Sequence, residues 1–592
     1  MTDVWDGDNC QYLLHKIYVC ITIRSIRREE VYTYMADKNL KDPIYGYIAI
    51  DETIMHDVVD TPTFQRLRNI VQTSYAPLYS AAVHNRFIHS LGVYHLGKIA
   101  YKAVYKSIQL QEEIKSLEEL DRYGYIFLLA CLLHDVGHAP FSHTGENFYL
   151  NLQEEEKEQQ YIDLHNMLID TVGNTQFKND VKNQKEGFEA AKPHEIMSAI
   201  VALKKFPTLF DNDEERSFFA RCITGYCYSD LGQNQDILNC LIRLLNADVI
   251  DVDKLDYLIR DAYITGFDTV QIDYIRLLGA ICLWKDSDDD SWKLVFHKSA
   301  LSVIQNVVFA HDAERHWIQN HPVVQYEGYI LNHAIELVNH HFSKASHGLF
   351  SYDTLTEDGN QLDDHIHISL LSDDDLVYLM KNVCSDETTK EYFNRQRRRH
   401  PVWKSEAEYR SLFYCRVGEN SKVMNYIEKE INDLSQYVLN ITGKDTIDDS
   451  TVDACKREIR KAQRKLRNNK ETNKKEVTDH LKTVQAHLKV LQCMKRIAVN
   501  SGVDFDLLIL KADQFNSGFM KEKFAHLLIL FPDRNHVDKF GKIVNTMSAE
   551  KTEKDKFFYL FYRRKEDGDS RGIIDAEALA AGLANIANNK GG

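Results

Sequence analysis

Three short stretches of the chain hold most of the residues able to do chemistry. The first is His134-Asp135-Val136-Gly137-His138-Ala139-Pro140-Phe141-Ser142-His143, with three imidazoles and a carboxylate in close succession. Imidazole and carboxylate together suit a transition metal or a hard divalent ion. A lone His-Asp pair at a helix end is more commonly a cap beside surface histidines, so its meaning depends on the other stretches. The second stretch, Asn85-Arg86-Phe87-Ile88-His89, sets His89 on the apolar face of a predicted helix. Alone, His89 reads as a core histidine. Arg86, one turn away, has the geometry for bidentate bonds to a phosphate. The third runs from Asp251 to Asp261, where Asp253, Tyr257 and Asp261 share one helix face at four-residue spacing beside Lys254. That face offers a metal ligand, a phosphate donor and a sugar-hydroxyl acceptor. The apolar Val249, Ile250, Leu255 and Leu258 imply that this helix is partly buried rather than a solvated charged surface.

These groups need elements to carry them. An apolar helix, Ile126–Leu133, delivers His134-Asp135 at its end, and Gly137 and Pro140 then bend the chain. From about Pro62 to Val338 the pattern is helical, with apolar residues at three- and four-residue spacing, as in Phe87, Leu91 and Ile99. Before it, Ile17–Ile23 reads as a strand or docking segment, Asp42-Pro43 as a turn and Tyr45–Ile50 as a short strand. Residues 150–192 are rich in Glu, Gln, Lys and Asn and read as an insertion or mobile loop with some helix. Beyond about 350 come two charged helices, Val452–Leu466 and Val477–Val499, and three strand-like segments, Phe505–Leu510, His526–Phe531 and Phe557–Tyr562. An amphipathic stretch, Ile573–Ile586, precedes a frayed end. The expected fold is mainly α: a helical catalytic core with a smaller C-terminal α/β lobe. Its divisions are an N-terminal segment 1–41, the core 42–345, the lobe 346–565 and a tail 566–592.

Composition narrows the classes. With 592 residues, 44% hydrophobic and 27% charged, the chain can bury a large core without disulfides. Its eleven cysteines are scattered singly, with no CxxC, which argues against a structural zinc site and for a reducing compartment. A net charge of −16 argues against general nucleic-acid binding as the main role, and the basic runs Arg395–Arg399 and Lys456–Lys475 read as solvated helix faces. Met1–Asn9 is acidic and lacks the positive region of a signal peptide, and the longest apolar run, Tyr125–Leu133, is far short of a membrane span. The expectation is a cytoplasmic protein that spans no membrane.

Taken in order, His89, His134-Asp135 and Asp253 form the H…HD…D pattern of the HD superfamily. The words around them, Asp42-Pro43-Ile44-Tyr45-Gly46, Asp60-Thr61-Pro62-Thr63-Phe64-Gln65-Arg66-Leu67-Arg68, His84–Gly92 and Leu133–His143, resemble the deoxynucleoside triphosphate triphosphohydrolases within it, vertebrate and bacterial. The resemblance is dense from 42 to 143 and from 246 to 266. It implies His89, His134, Asp135 and Asp253 as ligands of a divalent metal ion (Mg, Mn, Fe, Zn or Co). It implies Arg86, Lys254 and Tyr257 on the triphosphate and sugar, and Asp261 and Gln72 on the deoxyribose. His143 and His194 become an acid/base pair oriented by Glu195 or Glu146. His311, Arg315 and His321 are candidates for a phosphate contact on a later helix. The products would be a deoxynucleoside and inorganic triphosphate.

The same resemblance implies regulation: a homo-oligomer, dimer or tetramer, with an activating nucleotide read by Asp60, Gln65 and Arg68. Asp60-Thr61-Pro62 also has the residues that simply open a helix. Biological roles in nucleotide-pool control or phage defence would follow. Two other readings fit the metal motif: an HD phosphohydrolase or phosphodiesterase acting on an alarmone, a cyclic nucleotide or a monophosphate, and a nucleotide-binding regulator without turnover.

Overall fold

The computed structural model describes residues 37–588 apart from 75, 111–116, 152–156, 184–190, 231–233, 268–270, 288, 344–347, 418–420, 468–473, 514–523, 545–555 and 566–571. The expected strand Ile17–Ile23 and the frayed last residues lie outside the described residues. The fold is mainly α, as expected.

A hairpin of Lys38–Asp42 and Gly46–Ile50 opens the described chain, with Gly46 taking the left-handed turn at φ 80°. The site is carried by four helices: α1 (Arg86–Gln109), α2 (Leu117–Leu133), α3 (Pro193–Lys205) and α4 (Val252–Thr265). Three of them start where the sequence says they can. Asn85 caps α1 by accepting from the Ile88 N–H at 3.2 Å, Pro193 opens α3, and Asp251 caps α4 through the Lys254 N–H at 2.7 Å. Gly266, at φ 70°, closes α4. In α2, Ile126, Phe127, Leu129, Ala130, Cys131, Leu132 and Leu133 are all fully buried. Truncating one such leucine to alanine costs about 2–5 kcal/mol.

Among the described residues two large apolar cores form, with a small third cluster of Ala82, Ile318 and Val324. The first runs from Tyr45 to Met380 and takes in Phe524, Ile529 and Phe540; the second gathers Tyr326, Ile330 and residues from Trp403 to Ala587. Four features go beyond the sequence reading. Residues 157–182, inside the expected loop, form helices Lys157–Val172 and Thr175–Lys182, and the first packs on α3. Leu164, Leu168 and Val172 supply a buried stripe at four-residue spacing, masked in composition by the Glu- and Gln-rich run that precedes it. Leu349, Phe350, Leu355, Leu371 and Leu376, expected in the lobe, pack into the first core. The strand Leu528–Phe531 leaves the lobe to pair in parallel with Trp292–His297, a strand hidden in the helical pattern; Val503–Asp513 and Lys556–Arg564 pair antiparallel in a separate sheet. The terminal helix Ala576–Asn588 is no loose tail, because Leu579, Leu583 and Ala587 are buried in the second core. Among the described residues no helix is long and apolar enough to cross a membrane.

Candidate metal centre and catalytic cleft

Helices α1 and α4 cross so closely at Gly92 that a Cβ there would meet Asp256 Oδ1 at 1.9 Å. The crossing brings His89 beside α4: its Nε2 lies 3.0 Å from Asp253 Oδ1 and its Nδ1 2.7 Å from Asp256 Oδ2. His134, just past the end of α2, has its Nε2 3.3 Å from that of His89 and 3.6 Å from Asp253 Oδ1. Its Nδ1 meets the Cys131 carbonyl at 3.0 Å. Each imidazole therefore spends Nδ1 on a fixed acceptor, which turns Nε2 into the shared space. Among the described residues, His89, His134 and Asp253 form one of two groups whose ligand atoms lie within 4.8 Å of one another. Asp135 Oδ2 is adjacent, 3.5 Å from His134 Nε2 and 3.7 Å from His89 Nε2.

A layer of charge behind this cluster was not read from the sequence. Arg260 holds Asp256 through two bonds of 2.9 and 3.0 Å and reaches Asp42 at 2.9 Å, and all three side chains are buried. Burial works against the Asp256 carboxylate, but Arg260 and His89 outweigh it and take its pKa down to about 2. In the same way, burial lowers His89 but its bonds to Asp253 and Asp256 win, raising it to about 9. The four-residue step from Asp256 to Arg260 was the available signal.

The second group is His138, His143, Glu146 and His194. Gly137 lets the turn after α2 pack on the backbone of α3, where a Cβ would stand 2.5 Å from the Ser198 nitrogen, and the Gly137 N–H bonds Ser198 Oγ at 3.1 Å. This contact sets His194, in the first turn of α3, beside the turn. Phe141 and Ser142 then adopt left-handed backbone, at φ 55° and 53°. Such conformations cost of order 1–3 kcal/mol for residues with a side chain and persist only where surroundings impose them. Glu146 Oε1 lies 3.0 Å from His143 Nδ1, and Oε2 bonds His194 Nδ1. Burial opposes an ionised Glu146, yet His194 and His143 hold it well below the ordinary carboxylate range. His138 stacks on His194 at 4.4 Å and is fully buried, and neither of its ring nitrogens has a hydrogen-bond partner among the described residues. Burial, together with Arg86 and His194, pushes it well below the ordinary histidine range, so it is neutral. His143, whose side chain is 61% exposed, lines a cavity of about 510 Å³ with Gln72, Ser142, Gln319, Tyr329 and Lys511.

No protein-family model matches the chain. It is 31% identical over 271 residues to the uncharacterised protein MG461 of Mycoplasma genitalium, across 45% of this chain and 52% of that one. The uncharacterised YwfO of Bacillus subtilis matches at 25% over 382 residues, 61% of this chain and 71% of its own. The deoxynucleoside triphosphate triphosphohydrolase SAMHD1 homolog of Dictyostelium discoideum is 30% identical over 250 residues, 41% of this chain and 39% of its own. The chain resembles the HD-superfamily triphosphohydrolases. The matched region spans about half of MG461 and less of the Dictyostelium protein.

The remaining residues expected from the triphosphohydrolase resemblance can now be placed. Glu146 bonds both histidines, whereas Glu195 accepts the Lys192 N–H at 2.9 Å and caps its own helix. Arg86 is buried and engaged: Nη1 bonds Asp135 at 2.7 Å, Nε bonds Ser142 Oγ at 2.9 Å and Nη2 reaches the Gln72 carbonyl at 3.4 Å. Its first task is to hold Asp135. Lys254 Nζ bonds Asp251 at 2.6 Å and the Ala247 carbonyl at 2.8 Å. Asp261 is buried against His84 Nε2 at 2.7 Å, and Tyr257 on the same helix is half-buried. Gln72 Oε1 is buried without a partner among the described residues. His311 is pushed down to about 4, by burial first and then by Arg315 and Lys254, while His321 accepts the Val323 N–H as a helix cap.

The expected regulatory residues lie apart from the cleft. Asp60 pairs with Lys38 at 3.6 Å on the surface. Gln65 bonds the Val59 carbonyl at 2.7 Å and accepts from Arg68 at 2.7 Å, and Arg68 stacks 3.5 Å above Phe87. Thr61 and Pro62 open the short helix Pro62–Gln65.

Proposed function

We propose that this protein is a metal-dependent phosphohydrolase that converts deoxynucleoside triphosphates to deoxynucleosides and inorganic triphosphate. The observation that carries the reading is the convergence of two Nδ1-anchored imidazoles and Asp253 beside the His143–Glu146–His194 group. The donor set fits a divalent cation: two borderline nitrogen ligands and carboxylate oxygens, each held by a second layer. His89, His134, Asp253 and Asp135 would hold it, and it would polarise a phosphoryl oxygen and acidify a water molecule.

The chain's own residues do the rest. Lys254 and Arg86 offer donors for the charge of the triphosphate, most of whose hydrolysis is positioning and charge neutralisation. Water adds to the α-phosphorus and the bond to the 5′-oxygen breaks. His143, whose Nδ1 is tied to Glu146, presents Nε2 toward the cavity and supplies the proton to the leaving 5′-oxygen. Glu146 fixes the tautomers of His143 and His194 together. Gln72 and Asp261 support the deoxyribose reading as buried polar groups near the cleft.

We further propose that the active form is a homo-oligomer, dimer or tetramer, whose turnover responds to a second nucleotide bound near Asp60, Gln65 and Arg68. All three present polar groups on one surface segment, and an activator must bind the active assembly more tightly than the inactive one.

The test is a panel of nucleotides given singly and in pairs to the metal-loaded protein, with products resolved and mass measured in parallel. Release of triphosphate from deoxynucleotides is the expected outcome. Release of pyrophosphate or of a monophosphate, or action on a cyclic nucleotide or alarmone alone, would move the protein to another branch of the superfamily. Pair-independent turnover by a monomer would remove the regulatory proposal.

A further inference from the structure

The strained pair Phe141–Ser142 stands immediately before His143, and what holds it comes from far along the chain. Helix α5 (Asp373–Val383) begins with a buried carboxylate, Asp373. Its Oδ1 accepts the Phe141 N–H at 2.7 Å and its Oδ2 accepts the Val71 N–H at 2.8 Å, across separations of 232 and 302 residues. A second bridge runs alongside. Buried Arg66 donates Nη1 to the Leu371 carbonyl at 2.7 Å, and Nη2 to the carbonyls of Val136 at 3.1 Å and His138 at 2.6 Å. The turn is closed from within by Ser142 Oγ, which donates to the Val71 carbonyl at 2.5 Å.

An acid in the first turn of a helix is ordinarily there to complement the helix dipole. Asp373 is not needed as a cap, because Ser372 and Asp375 already form one: Asp375 accepts from the Ser372 N–H at 2.9 Å and its hydroxyl at 2.7 Å. Both Asp373 oxygens are instead directed at backbone N–H groups of other segments. Non-glycine residues leave left-handed backbone when nothing opposes it.

We propose that Asp373, with Arg66, is a latch on the Phe141–Ser142 turn, and that Asp373 is a positioning residue for His143. This rests on the reading of His143 as an acid/base group of the cleft. Asp373→Asn keeps size and turns one acceptor into a donor facing an N–H. With metal loaded, kcat should fall by about 100-fold, the scale of a displacement of roughly 1 Å, while KM and metal content stay close to those of the unsubstituted protein. Exposed Asp374, changed to Asn, should alter none of these.

Nitrogen-15 spectra of the histidine side chains, with His143 assigned by His143→Gln, give a readout independent of turnover. The His143 signals should move in Asp373→Asn while those of His89 and His134 stay. This decides the latch even if no nucleotide is hydrolysed, so the two proposals fail separately. Unchanged His143 signals with unchanged kcat overturn the latch. So does a general shift of all histidine signals with a lowered melting temperature, which would mark Asp373 as a fold residue only. If Asp373→Asn does not fold, Arg66→Lys, which loses the fork that spans Leu371 and His138, is read in the same way.

Discussion

The two histidine clusters of this protein are built in opposite ways. His89 and Asp253 stand on long helices, with His134 at the end of another, and a buried layer of Asp256, Arg260 and Asp42 braces His89. His143 and Glu146 stand on the irregular helix Ser142–Asn151, whose first residue is the second of two in left-handed backbone. The first cluster is positioned by the packing of regular elements; the second by specific bonds to a turn that would not otherwise keep its shape. A metal needs ligands that stay put, and helices supply that at little local cost. A proton donor beside a substrate needs an exposed ring on a short lever, and a turn supplies it with strain to be offset elsewhere.

Removing a ligand should give the largest effect. In His134→Ala or Asp253→Ala, metal content measured by mass spectrometry should fall severely and turnover by at least about 1,000-fold, while the circular dichroism spectrum keeps its helical form. Near-normal turnover with little metal would break the distinction between the clusters. Glu146→Gln should come next, lowering kcat by about 100-fold or more with metal retained, the usual scale of a general acid/base contribution. Metal loss in that variant would merge the two clusters into one.

Asp256→Asn sharpens the claim about bracing. Metal affinity should weaken by about 10–100-fold, the usual cost of losing a partner behind a ligand. Arg260, left with Asp42 and one amide oxygen, should also lose about 1–3 kcal/mol of support, seen in denaturant melts. Unchanged affinity would show that the helices alone hold His89.

The smallest effect concerns pH. Burial pushes Asp373 up to about 7, opposed by the N–H groups of Val71 and Phe141 and by Arg66, with Asp374 adding to the rise. An unfolded aspartate titrates near about 4. Because the folded value is the higher one, its stabilising contribution is present below about 4 and is lost as pH rises through about 7. Relative to Asp373→Asn, which does not titrate, the unsubstituted protein should therefore lose stability across that window. Parallel pH profiles of denaturant stability would contradict the assignment.

The contrast also explains what was legible in the sequence. His134-Asp135 sits at the end of a fully apolar helix, and Asp253, Tyr257 and Asp261 repeat at helical spacing, so local pattern led to these residues. Helix α4 follows from the same short-range rules. Asp373 carried no such signal, because its partners lie 232 and 302 residues away. Leu528–Phe531 read correctly as a strand, yet its parallel partner Trp292–His297 lies far upstream, and sheet pairing at that distance leaves no local trace. The buried helix Lys157–Val172 was obscured because composition was weighed above the spacing of Leu164, Leu168 and Val172. Choosing Glu146 over Glu195 required the approach of α3 to the turn, which depends on Gly137.

The proposed reaction is phosphoryl transfer at the α-phosphorus by the metal-loaded cleft. Its most direct test is turnover of a deoxynucleoside triphosphate in heavy-oxygen water, with each product resolved by mass. The account predicts one heavy oxygen in the released inorganic triphosphate, none in the deoxynucleoside, and no such product from His134→Ala. Heavy oxygen in the nucleoside, or labelled pyrophosphate and monophosphate in place of triphosphate, would contradict it.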